Sequence, residues 1–165
     1  PCVEICPGPN TSEKTIEKAK EIFNNSGSSI VNIKKEIDGF ILNRLQGALL
    51  NEAMRLYSQG YANSDEIDAT IRDGLGLRWS FMGPFETIDL NAPGGIKDYM
   101  SRYGSIYTEM AKNQTEVPDW SDKMGEKLEI ERRKILPENQ LEGRAKKRNL
   151  LLKSLRKVKI ENGEV

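Results

Sequence analysis

Glu4 stands between Val3 and Ile5 in an apolar run, where an ionised carboxylate is costly unless something pairs with it. Either it lies exposed at a strand edge, or it has a partner. Asn43, beside Arg44, opens the most apolar helical stretch of the chain, where a polar pair can cap the turn, satisfy backbone groups or serve a site. The residue missing from this chemistry is histidine, of which there is none. Histidine is the usual acid/base near neutral pH and the commonest metal ligand, so these 165 residues alone can build no Ser/His/Asp triad, no His-ligated metal and no His-based dehydrogenase. Gly74-Leu75-Gly76 lacks the third glycine of a dinucleotide loop, because position 79 is Trp, and no strand precedes it; it reads as a turn after a helix. Eight basic and no acidic residues between Arg144 and Lys159 could contact phosphates. With Leu150, Leu151, Leu155 and Val158 as a stripe and no aromatic residue to stack bases, the segment reads instead as a solvated helix face over a packed one.

The elements that must position these residues follow from periodicity. Cys2 to Cys6 is a strand in which Cys2, Glu4 and Cys6 share one face. Pro7-Gly8-Pro9 ends it, Thr11 or Ser12 caps a helix reaching about Asn25, and Ser29 to Ile33 forms a second strand. Two strands are too few for a stable parallel sheet, so the other strands are expected outside this chain. From Asp38-Gly39 onward the pattern is helical. Phe40 to Gln59 carries Leu42, Leu45, Leu49, Ala53 and Leu56 at core-helix spacing. Ser64 caps a short helix ending at Asp73-Gly74, and Leu75 to Gly83 is a loop. Pro84 starts a helix to about Leu90, another runs from Gly95 to about Lys112, and the last two span Ser121 to Ile135 and Glu138 to Lys159, separated by Pro137.

Twenty-five basic and 25 acidic residues give zero net charge, and 37% hydrophobic with 30% charged is a globular balance. No run approaches the ~18 uncharged apolar residues of a membrane span. Cys2 and Cys6 lie about 13 Å apart in an extended strand, beyond disulfide reach, so both are expected to be reduced and the chain cytoplasmic. The start, without Met and already in a strand, suggests a piece of a longer protein.

Three ordered segments carry a resemblance: Val3-Glu4-Ile5 with Pro9-Asn10-Thr11, then Ile37 through Leu45 (IDGFILNRL), then Gly83-Pro84-Phe85-Glu86. Together they resemble the 3-hydroxyacyl-CoA dehydrogenase family over about Val3 to Lys112. Asp73 through Trp79 (DGLGLRW) with Asp89-Leu90-Asn91-Ala92 is most similar to the lambda-crystallin or L-gulonate 3-dehydrogenase branch. The resemblance implies a mostly α fold, a helical bundle of the 6-phosphogluconate dehydrogenase C-terminal type preceded by a β-α-β remnant of a Rossmann domain. Residues 1–36 would be the tail of the NAD-binding domain and 37–165 the helical substrate-binding and dimerisation domain. The glycine-rich NAD loop and the catalytic His would lie upstream, leaving no cofactor-binding residue in this chain and leaving it inactive alone.

By that similarity Glu4 holds the upstream imidazole in its working tautomer, and Asn43 hydrogen-bonds the reacting oxygen of the substrate. Arg78 is expected to grip the carboxylate of a free hydroxy acid, as an arginine fork does bidentately, either in its own site or in that of a partner subunit. The implied reaction is NAD-linked oxidation of an L-gulonate-like 3-hydroxy acid by a homodimer, without metal, nucleic acid or membrane as partner. The rival readings are a 3-hydroxyacyl-CoA or 3-hydroxybutyryl-CoA dehydrogenase, and a non-catalytic crystallin-like structural or dimerisation module.

Overall fold

A computed structural model describes residues 2–164. The chain forms two compact units, one reaching Leu50 and the other Asn51–Glu164, divided within a helix. The first unit opens with β1 (Cys2–Ile5), α1 (Glu13–Asn25) and β2 (Ser29–Asn32). Ser12 caps α1 by accepting from the Thr15 N–H. The two strands pair in parallel with Glu4 opposite Val31, and the Ile33 N–H extends the ladder to the Ile5 carbonyl at 2.8 Å. This is the expected β-α-β layer, and among the described residues its sheet has only these two strands. Ile33, 4% exposed, is its apolar anchor.

The chain then turns into α2 (Phe40–Ser58) through two residues of left-handed backbone, Gly39 at φ 79° and Phe40 at φ 50°. Glycine adopts that region freely, whereas a bulky residue such as Phe40 does so only under constraint from its surroundings. Gly39 has no side chain with which to cap α2, which leaves the helix's first N–H donors to be met from elsewhere in the chain.

The second unit continues α2 and adds α3 (Ser64–Ala69), a π-helical turn (Thr70–Leu75), α4 (Gly76–Trp79), α5 (Pro84–Leu90), α6 (Gly95–Asn113), α7 (Asp122–Ile135), a 3₁₀ turn (Glu138–Gln140) and α8 (Leu141–Glu161). Helix α7 is bolted on by polar contacts. The Tyr57 hydroxyl donates to Glu131 Oε1 at 2.8 Å, and the Ser64 N–H reaches Glu131 Oε2 at 3.3 Å. Lys127 Nζ lies 4.7 Å from the centre of the Tyr57 ring, and Arg132 pairs with Asp68 at 3.1 Å. The connection into α7 is held to α2 by Trp120 Nε1 donating to Asn51 and Arg55 donating to the Glu116 carbonyl.

Four sequence expectations need correction. The cap of α3 is Asn63, not Ser64: Asn63 Oδ1 accepts from Asp65 and Glu66 while Glu66 accepts from the Asn63 N–H, a reciprocal capping box. Leu75 to Trp79 is helical rather than loop. Gly74-Leu75-Gly76 permits a π turn in which the Gly76 N–H reaches the Ile71 carbonyl. Any Cβ at Gly76 would fall 2.8 Å from that carbonyl oxygen, so glycine sustains the turn instead of ending it. In α2 the buried positions are Met54 and Tyr57, while Leu42 and Leu45 are exposed. The last segment begins as a 3₁₀ turn, and no residue of α8 is buried, so its leucine stripe does not cover a packed face.

Candidate functional site

In the first unit Glu4 is half-buried on β1, and its carboxylate sits on the N-terminus of α2. Oε1 accepts from the Ile41 N–H at 2.8 Å and the Leu42 N–H at 3.2 Å, while Oε2 makes only a longer contact with the Leu42 N–H at 3.4 Å. A helix N-terminus offers unpaired N–H groups and the positive end of the dipole, both of which favour an anion. This resolves the alternatives left open for Glu4: its partners are the backbone donors of α2. Asn43 lies one residue beyond Leu42 in the first turn of the same helix, exposed, with its Cβ 3.7 Å from where a Cβ on Gly39 would stand. The fold thus brings Glu4 and Asn43 to one helix end across 39 residues of chain. The left-handed Gly39–Phe40 turn aims the first N–H groups of α2 at the strand.

The bonds to Oε1 fix the orientation of the carboxylate. Oε2, with one long contact, keeps acceptor capacity for a further donor. Asn43 makes no hydrogen bond among the described residues, so its amide is also available.

Arg78 belongs to the second unit, on α4. Its guanidinium is exposed and has neither an ion pair nor a hydrogen bond among the described residues. It lines a cavity of about 540 Å³ together with Trp79, Phe85, Ile88, Tyr99 and Tyr107. Along α6 the Tyr99 and Tyr107 hydroxyls hydrogen-bond at 2.6 Å, and the Tyr99 and Tyr103 rings lie 4.8 Å apart. The bond to Tyr107 raises the Tyr99 phenol above its ordinary value, and the Arg78 charge opposes the rise. An apolar, aromatic cavity with one unpaired cation on its wall suits an anion with a hydrophobic body. The sequence reading missed the aromatic wall. Its signal was present in Tyr99, Tyr103 and Tyr107, spaced by four on one face of α6.

The description "3-hydroxyacyl-CoA dehydrogenase, C-terminal domain" matches residues 39–136, more than half of the chain. The chain belongs to the 3-hydroxyacyl-CoA dehydrogenase family. It is 38% identical over 161 residues to a lambda-crystallin of Oryctolagus cuniculus, covering 96% of this chain and 50% of that protein. It is 41% identical over 125 residues to an L-carnitine dehydrogenase of Pseudomonas putida, covering 75% of this chain and 39% of that protein. The chain therefore spans half or less of the length of these curated relatives. A solved structure described as 5-formyl-3-hydroxy-2-methylpyridine 4-carboxylic acid 5-dehydrogenase, an NAD⁺-dependent dismutase, shares the fold. It superposes with a TM-score of 0.63 at 24% identity over 73% of this chain and 37% of that one. The mostly helical fold with a short parallel strand pair is that of the family. No helix among the described residues is long and apolar enough to cross a membrane.

Proposed function

We propose that this chain is the substrate-side and dimerisation part of an NAD-dependent dehydrogenase that oxidises a free, L-gulonate-like 3-hydroxy acid, supplying Glu4 and Asn43 to the active site and inactive by itself. The observation that carries this reading is the Glu4 carboxylate on the N-terminus of α2, in whose first turn Asn43 lies. Oxidising a secondary alcohol requires a base within reach of its O–H proton. This chain has no histidine, and the relatives are about twice its length, so the base is placed on an upstream histidine. Glu4, clamped through Oε1, offers Oε2 to that imidazole's second N–H. It thereby sets the tautomer and steadies the imidazolium formed when the proton arrives. Asn43 donates its amide to the oxygen as charge develops there.

On this reading the dinucleotide cradle belongs to the upstream domain. Between β1 and α1 run Cys6-Pro7-Gly8-Pro9 rather than a glycine-rich turn, and Gly74 and Gly76 lie within helices. NAD, whose chemistry in such an enzyme is to accept hydride, is therefore assigned to the upstream domain, with the boundary near residue 37. We assign a homodimer, and the free thiols of Cys2 and Cys6 favour a cytoplasmic location.

Arg78 is the proposed carboxylate clamp, and it favours a free acid over a CoA thioester, which has no carboxylate at that end. L-carnitine, named for one of the relatives, is itself a free 3-hydroxy acid. In the complete enzyme, Arg78→Met is expected to raise KM for the hydroxy acid about tenfold or more, and CoA thioesters are expected not to compete. Unchanged kinetics for Arg78→Met remove the clamp. Inhibition by 3-hydroxybutyryl-CoA at comparable concentration moves the assignment to the acyl-CoA enzymes.

A further inference from the structure

Helix α8 is 21 residues long, about 32 Å at 1.5 Å per residue, and none of its residues is buried. Leu151, Leu152 and Val158 are among its exposed apolar side chains. It lies beyond residue 136, where the family match ends, and follows Pro137 and a 3₁₀ turn. Its charge is one-sided. Between Arg144 and Lys159 there are eight basic residues and no acidic one, so the remainder of the chain holds 17 basic against 25 acidic residues, a net of eight negative charges. Most of that excess lies in residues 51–143, with 17 acidic and 11 basic. Within α8, Lys146 and Lys157 pair with Glu142 and Glu161 of the same helix. Arg144, Lys147, Lys153 and Lys159 have no acidic partner among the described residues.

We infer that α8 is a basic arm that docks on the acidic surface of a second copy of this chain. The excess of acidic over basic residues in 51–143 opposes the approach of a polyanion to the rest of the chain. Residues 141–161 contain no aromatic side chain for stacking bases or for anchoring at a lipid interface. A copy of the same chain, in contrast, carries in residues 51–143 an excess of six acidic residues, opposite in sign to the arm, and a two-fold arrangement satisfies both arms at once. The exposed leucines then gain cover at the same contact. The inference rests on the homodimer reading and is independent of the catalytic one.

The test is sedimentation equilibrium of the chain at 0.05 M and 0.5 M NaCl, with and without Lys147→Glu plus Lys153→Glu. These two exposed sites belong to no site described above. Salt screens attraction between opposite charges. The dimer Kd is therefore expected to rise tenfold or more at high salt. The double variant is expected to start from the weakened value at low salt and to respond little to salt. Circular dichroism confirms that the variant keeps its helix content. A dimer indifferent to salt and to the variant overturns the arm while leaving the homodimer intact, and a monomer under all conditions overturns both. Unaltered self-association together with co-sedimentation of the chain on phosphatidylserine vesicles at 0.15 M NaCl assigns α8 to lipid and also overturns the inference.

Discussion

At the scale of single residues, one carboxylate does different work in each unit. Glu4 caps a helix that has no cap of its own, while Glu131 joins Tyr57 of α2 to the Ser64 backbone. The hydrogen bond from Tyr57 is the main cause that lowers the Glu131 carboxyl below its ordinary value, with smaller help from Ser64 and Lys127. Burial, then the bond to Glu131, raises Tyr57 above 10.0. The signs follow by linkage. The Glu131 contribution is present above about pH 4.5 and is lost as pH falls through the lowered folded value. The Tyr57 contribution is present below about pH 10 and is lost as pH rises through the raised one. Tyr57→Phe keeps the ring and removes the hydroxyl, so its thermal stability is expected to vary less with pH on both limbs. Differential scanning calorimetry from pH 3 to 11 checks this, and limbs as steep as the parent's contradict it.

At the scale of elements, the α3 cap separates two neighbouring residues that look alike in sequence. Asn63→Ala removes a capping box and is expected to cost about 1 kcal/mol, read as a lower denaturation midpoint in urea. Ser64→Ala is expected to cost less, because the Ser64 side chain takes no part in the cap. Equal losses contradict the assignment of the cap. The same pair illustrates what the sequence discloses. Pro84 at the start of α5, Ser12 before α1 and Ser121 before α7 act locally, and their helices begin where that chemistry places them. Asn63 and Ser64 are both good caps, and only the return bond from Glu66 decides between them. The π turn was illegible for a related reason. Glycine is usually read as a stop, yet here Gly76 gives the Ile71 carbonyl room for an i to i+5 bond. The leucines of α2 signal the helix correctly but not its buried positions, which are Met54 and Tyr57. Glu4 and Asn43 stand out in the sequence as polar residues in apolar runs. Their meeting at the start of α2 depends on the left-handed Gly39–Phe40 turn, which no local propensity reveals for a phenylalanine.

At the scale of the whole molecule, family and length frame what the chain can do. It belongs to the 3-hydroxyacyl-CoA dehydrogenase family, spans about half of a curated relative and has no histidine among its 165 residues. It holds a hydrogen-bonded carboxylate and a free amide at one helix end, and elsewhere a cation on an aromatic cavity. The most direct measurement is the pH profile of kcat/KM for NADH formation from the free hydroxy acid by the complete enzyme, before and after Glu4→Gln. Glu4→Gln retains the shape of the side chain and removes its charge. The expected result is a loss of roughly a hundredfold or more at neutral pH, with the imidazole limb displaced to lower pH because the imidazolium has lost its anion. Asn43→Ala should lower kcat/KM without displacing that limb. An unchanged profile in a Glu4→Gln enzyme that melts at the parent's temperature would show that Glu4 only caps α2.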